Sequence, residues 1–61
     1  MTERQIFYYN LRTGQTTPAT TNADKTRAQC YSMAMEWHRN GDDVAIMDAL
    51  TRDAILIWIH Q

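Results

Sequence analysis

The chain has 61 residues, of which six are basic and seven are acidic, so its net charge is −1 at pH 7 with neutral histidines. This length allows one domain at most, residues 1–61, and so small a domain buries only about 60% of the surface that it exposes when unfolded. The charged residues are spread along the chain, without the basic block that marks a nucleic-acid tail or a membrane-surface segment.

Cysteine content limits how this domain can be stabilised. Cys30 is the only cysteine, so no disulfide can form within the chain. Small domains usually need a disulfide, a metal or oligomerisation, and metal-ligating side chains are few, so we expect oligomerisation and no metal or cofactor. A lone thiol fits a reducing compartment, and neither a signal peptide nor a bilayer-length apolar run is visible. These features predict a cytoplasmic protein without a membrane segment.

The N-terminal region is rich in β-branched and aromatic residues. Residues 5–11 read Gln-Ile-Phe-Tyr-Tyr-Asn-Leu, which favours a strand. A loop at residues 12–14 follows, where Gly14 can adopt a positive φ. Residues 15–19 predict a weaker second arm, because Pro18 lacks an amide donor and restricts this segment to an edge strand or an extended loop.

Start and stop signals predict a helix between Thr21 and about Asn40. Thr21 can serve as the N-cap, with Asn22 as an alternative. Asp24, three residues after Thr21, can reach back to complete a capping box. Gly41 supplies the left-handed residue that commonly follows a helix.

The remaining residues predict a β-hairpin. Residues 44–47 and 54–60 read as strands, and the short connection through a loop at residues 50–53 implies that they pair antiparallel. The predicted fold class is α+β in the order β-(β)-α-β-β. It consists of a small antiparallel sheet of three to four strands with one helix packed on a face.

The last strand is unusual because residues 54–59 are all apolar. A half-exposed strand should alternate between apolar and polar residues, whereas this one has large apolar groups on both faces. Both faces therefore need cover, which so small a domain has trouble supplying alone. We expect a second copy of the chain to supply it, in a homodimer with two-fold symmetry.

The helix also carries a broad apolar zone, which covers roughly half of its circumference. Two interpretations stay open. Either the helix nestles in a curved sheet with methionines filling irregular gaps, or one of its edges faces another subunit or a target. The second interpretation gives four candidate protein-interface residues, with the tryptophans as anchors: Cys30, Met33, Trp37 and Trp58.

No catalytic constellation is visible in the sequence. Cys30 and His38 lie two helical turns apart, too far for the i, i+4 pair that a helix offers to one metal ion, and a nucleophilic cysteine needs a base and an orienting third group. The aspartates lack the spacing of a calcium-binding loop, and the isolated glycines form no phosphate-binding loop. We therefore expect that the protein is not an enzyme.

Nucleic-acid binding is the alternative to protein binding. Tyr8 on the first strand, with Arg4 and Arg12 nearby, could offer base stacking and phosphate contacts. This requires Tyr8 to point outward while Phe7 and Leu11 lie beneath the helix, as we expect because a buried tyrosine hydroxyl needs a partner. The near-zero net charge weighs against this alternative, because phosphate contacts dominate affinity.

The sequence thus predicts a small cytoplasmic interaction protein that self-associates and binds another protein, whose identity the residues do not give. Compact chains without a catalytic constellation are common among phage and mobile-element accessory proteins, which is a background expectation for this size class. The alternative is a nucleic-acid-binding dimer that uses an aromatic and basic sheet face.

Overall fold

A three-stranded antiparallel sheet and one helix form the fold in the computed structural model, which describes residues 4–21 and 23–58. The elements are β1 (Ile6–Asn10), α1 (Arg27–Arg39), β2 (Val44–Asp48) and β3 (Ala54–Trp58). The strands lie in the order β1-β2-β3 in the sheet, so β2 is central. This confirms the predicted α+β class and antiparallel sheet, with the element order β-α-β-β. The predicted continuation of the last strand, residues 59–60, lies outside the described residues.

The weaker second arm does not form a strand of its own. Residues 15–20 instead run as a strap along the outer edge of β1. The Thr17 amide donates to the carbonyl oxygen of Tyr8 at 3.0 Å, and Thr20 and Ile6 exchange backbone hydrogen bonds of 2.8 and 2.9 Å. Of the two forms that the sequence left open, the extended loop is correct, since only single-residue pairings link the strap to β1. The strap therefore covers one of the two edges of the sheet.

The helix begins later than the sequence predicts, at Arg27 rather than directly after Thr21. Half of the expected capping box is present, because the Asp24 carboxylate accepts a 2.9 Å hydrogen bond from the Thr21 amide. The backbone, however, forms two successive i to i+3 bonds, from Asp24 to Thr21 and from Arg27 to Asp24. Such bonds make turns rather than α-helix, so the N-cap is Thr26. The alternative cap, Asn22, lies outside the described residues.

The C-terminal end of α1 follows the prediction. The last helical residue is Arg39 and the C-cap is Asn40. Gly41 has a φ of 98°, the left-handed conformation that glycine adopts at low cost. The chain then turns directly into β2.

Helix α1 packs on the opposite face of the sheet from the one that we predicted. Ile6 and Tyr8 form the core with Cys30, Ala34 and Val44, and Tyr8 is only 4% exposed. The expectation that Tyr8 points outward is therefore wrong.

The register of the sheet explains this error. Tyr8 pairs with Ile46 in β2, and Val44 and Ile46 lie on the same face as Tyr8 because side chains alternate along a strand. The helix thus covers the face on which the large side chains of β2 and the ring of Trp58 lie. The sequence of β1 alone does not show on which face these side chains lie. Leu11, which we expected beneath the helix, is exposed.

Candidate protein interaction surface

The outer edge of β3 has no strand beside it in the described part of the chain, since β3 pairs with β2 alone. The opposite edge of the sheet, in contrast, carries the strap. Helix α1 packs mainly over β1 and β2 and meets β3 at Trp58, whose ring lies 5.7 Å from that of Tyr31 and 6.1 Å from that of His38. The helix therefore leaves most of β3 uncovered.

The direction of the backbone groups of β3 follows from the hydrogen bonds across the sheet. The backbone N–H of Ala49 donates to the carbonyl oxygen of Gln5 at 2.9 Å, and the N–H of Leu11 donates to the carbonyl oxygen of Asp43 at 3.0 Å. The backbone N–H and C=O groups of the odd-numbered residues of β2 therefore point towards β1. Because the direction of these backbone groups alternates along an antiparallel strand, the N–H and C=O groups of Val44 and Ile46 point towards β3.

Within β3, Leu56 and Trp58 are the register partners of Ile46 and Val44 and use their backbone groups inside the sheet. Alternation then directs the N–H and C=O of Ile57 towards the free edge. Ile55 has no register partner of its own, because Leu56 pairs with Ile46 and Ala54 pairs with Met47. The free edge therefore offers a backbone donor and acceptor at Ile57 that no other strand of the described residues uses.

The side chains of β3 present apolar surface on both faces of the sheet. Leu56 shares the helix side with its register partner Ile46, and Ile57 shares the far side with Ala45. Leu56 is 53% exposed and Ile57 is 46% exposed, and Ile55 is exposed to a similar degree. Natural edge strands usually carry a lysine, a proline or an inward charge that blocks pairing. Residues 54–58 contain none of these.

The four candidate interface residues occupy different environments. Cys30 is buried in the core, with its sulfur 3.9 Å from the carbonyl oxygen of Pro18. Trp37 and Trp58 are partly buried against the same core, and Met33 is exposed.

The structure does not gather these four residues into one patch. Tyr31, which contacts Trp58, and Met33 are two residues apart and so point about 200° apart around a helix with 3.6 residues per turn. Met33 therefore lies on the side of α1 that is turned away from β3. Around the helix circumference, Trp37 lies closer to Met33 than to Tyr31. The sequence interpretation predicted that both faces of the last strand need cover but did not name Leu56 and Ile57 as interface residues, and it missed the exposed ring of Tyr31, because only the register and the helix placement show which of these side chains are exposed.

The residues of the nucleic-acid alternative are largely committed to other contacts. Arg4 pairs with Asp48 at 3.3 Å, and Arg12 forms an ion pair and a second, 3.2 Å hydrogen bond with Asp42. The hydrogen bond to Asp42 and the attraction of its charge raise the pKa of the Arg12 guanidinium. With Tyr8 beneath the helix, the first strand does not present an exposed aromatic and basic face of the predicted composition.

Other kinds of site are not visible in residues 4–21 and 23–58. No three His, Cys, Asp or Glu side chains of these residues come together in a geometry that could hold a metal ion. The same residues include no helix with the length and apolar character needed to cross a bilayer.

Comparisons of the chain with protein-family models, with curated proteins and with solved structures give no match.

Proposed function

We propose that this chain is a protein-interaction module that self-associates by pairing β3 with β3 of a second copy. The observation that carries the proposal is the free edge of β3, with apolar side chains exposed on both of its faces. Strand addition at a sheet edge combines main-chain hydrogen bonds with side-chain contacts on alternating positions, and β3 offers both.

Symmetry favours an identical partner over an unrelated strand. Two copies of one strand can pair antiparallel about a two-fold axis, which is the commonest closed arrangement of a homo-oligomer. The dimer would contain one continuous sheet of six strands. On the helix side of this sheet, Leu56 would contact β3 of the second copy, and on the far side Ile57 would do so. Because β3 itself carries no charge, like charges do not face each other along the shared edge.

The size of a stable interface shows that strand pairing alone is not enough. A standard interface buries about 800 Å² per partner, against a total accessible surface of 4466 Å² for the chain. The five residues of β3 alone do not reach that buried area, so neighbouring residues must also be part of the interface. Trp58, which is partly buried against the core, lies in β3 itself and extends its apolar surface on the helix side.

Binding of a further protein is the second part of the proposed function. Met33 and Trp37 lie on the far side of α1 from β3, so they would remain available after the copies pair. The identity of that target and an accessory role in a phage or mobile element stay predictions.

Sedimentation velocity over a range of concentrations tests the self-association. We expect a reversible dimer for the unmodified chain and a monomer for Ile57→Lys, because an edge lysine blocks strand pairing. Leu11→Lys is the matched control, since Leu11 is similarly exposed but lies away from β3, and we expect it to leave the dimer intact. A monomeric unmodified chain at all concentrations would contradict the proposal.

A further inference from the structure

A solvent-open groove of about 670 Å³ runs between β1 and the N-terminal half of α1. Its volume lies within the range of about 300–1,000 Å³ that is typical of ligand pockets. The lining combines two tyrosines, two cations and small or acidic side chains: Tyr8, Asp24, Lys25, Arg27, Ala28, Tyr31 and Ser32. This composition suits a ligand that has both an aromatic ring and a negative charge.

The aromatic wall of the groove is held in a defined orientation. Tyr31 contacts Tyr8 at a ring distance of 6.3 Å with planes 72° apart, and it contacts Trp58 at 5.7 Å with planes 85° apart. Despite these two edge contacts, Tyr31 remains 47% exposed. Its ring therefore offers free surface for stacking without having to be ordered on binding.

The cations of the groove are not neutralised by ion pairs within the described residues. Arg4 and Arg12 have carboxylate partners, whereas Lys25 and Arg27 have none there. The acidic residue of the groove, Asp24, uses its carboxylate to accept from the Thr21 amide at 2.9 Å. Two cations beside one acid give the groove a local positive charge, although the whole chain is slightly negative.

We propose that this groove binds single-stranded nucleic acid, with one base stacked on Tyr31 and adjacent phosphates held by Lys25 and Arg27. Aromatic rings beside a positively charged groove are the means by which proteins bind single strands with little sequence preference. Because the groove is open to solvent, a continuous backbone can enter and leave it, and its phosphates can pair with both cations, whereas an apolar peptide would gain no charge interaction from them. The hydroxyl of Ser32 adds a donor for a phosphate oxygen.

Binding should be weak and sensitive to salt, because two cations, Lys25 and Arg27, are available among the described lining residues to neutralise phosphates. For a single strand, two contacts predict a slope of log K against log salt concentration of about −1.4. Fluorescence anisotropy of a short labelled oligothymidylate, between about 20 and 200 mM salt, measures this slope. Replacing one cation should reduce the magnitude of the slope by about 0.7.

Three variants separate the groove from general electrostatics. Tyr31→Leu keeps an apolar side chain beside Trp58 and should weaken binding about fivefold or more through the loss of stacking. Lys25→Gln should weaken it with the reduced slope described above. Arg39→Gln is the matched control, because it removes the same charge from the opposite end of α1 and should leave the affinity within twofold.

Several outcomes would overturn the proposal. The first is no binding at the lowest salt concentration by a chain whose circular dichroism shows the expected helix. The second is an equal loss of affinity in Lys25→Gln and Arg39→Gln, which would indicate non-specific attraction. The third is competition by uridine monophosphate as strong as that of the oligonucleotide, which would assign the groove to free nucleotides.

Discussion

The side-chain amide of Asn10 donates a 3.0 Å hydrogen bond to the carboxylate of Asp42, 32 positions away in the chain. Asn10 is fully buried and Asp42 nearly so. The carbonyl oxygen of the Asn10 side chain accepts from the amides of Arg12 and Thr13 at 2.9 and 3.2 Å. This network joins the turn after β1 to the segment that leads into β2, and so helps to fix the pairing of the two strands.

We expect Asn10→Ala to lower the free energy of unfolding by about 1–3 kcal/mol, because the change leaves buried polar partners unsatisfied. Urea unfolding followed by circular dichroism measures the loss. Gln29→Ala, at an exposed position of α1, is the control, and it should change the free energy of unfolding by less than about 0.5 kcal/mol. Equal effects of the two substitutions would show that the buried network adds nothing specific.

Asp48 makes stability depend on acid pH. Hydrogen bonds from the amides of Thr51 and Leu50 lower the pKa of the Asp48 carboxyl below its ordinary value of 3.8, with a further contribution from Arg4. A pKa that is lower in the folded state stabilises the fold above the unfolded-state pKa, and this stabilisation is lost as the pH falls through the folded-state pKa.

The variant Asp48→Asn isolates this contribution. At neutral pH we expect the unmodified chain to need more urea to unfold than the variant, because only the ionised carboxylate gains from these contacts. The difference should shrink as the pH drops below 3.8, the ordinary pKa of the group. A difference between the two urea midpoints that is independent of pH would contradict the assignment.

Local sequence signals predict several elements of this fold. The aromatic and β-branched content of β1 and the glycine after α1 act through contacts within a few residues. For that reason the strand type, the helix end at Arg39 and the β2–β3 hairpin could be predicted.

Features that depend on distant partners could not be predicted in the same way. The turns at residues 23–26 compete with helix, and Thr20, shortly before them, is tied to Ile6 by backbone hydrogen bonds. Arg52 has a φ of 65° in the turn before β3, where glycine is the residue that would signal this conformation. The groove beside Tyr31 escaped prediction because its walls come from β1, α1 and the turns before the helix.

The substitution Trp37→Ala distinguishes a role of this side chain in the core from a role in the dimer interface. It packs partly buried against the core cluster and lies on the side of α1 away from β3. We therefore expect Trp37→Ala to lower the free energy of unfolding by about 3 kcal/mol, the low end of the range for such truncations. Self-association of the folded fraction, measured by sedimentation, should be unchanged. Weaker association with unchanged urea resistance would instead place Trp37 in the dimer interface.

Proline substitutions at adjacent positions of β3 provide the sharpest test of edge pairing. Proline removes one backbone N–H and is tolerated on an edge strand where that N–H faces solvent. The N–H of Ile57 faces the free edge, whereas Leu56 is paired with Ile46 inside the sheet. We expect Ile57→Pro to keep the circular dichroism of the folded chain but to abolish dimerisation, because its edge donor is lost.

Leu56→Pro should behave differently, since it removes a hydrogen bond between β2 and β3 and should destabilise the monomer itself. Ile57→Thr serves as the control for the loss of the isoleucine side chain, because threonine retains both the N–H and a β-branched shape. We expect Ile57→Thr to weaken the dimer less than Ile57→Pro does. If Ile57→Pro still dimerised as the unmodified chain does, the copies would have to meet through a surface other than the edge of β3.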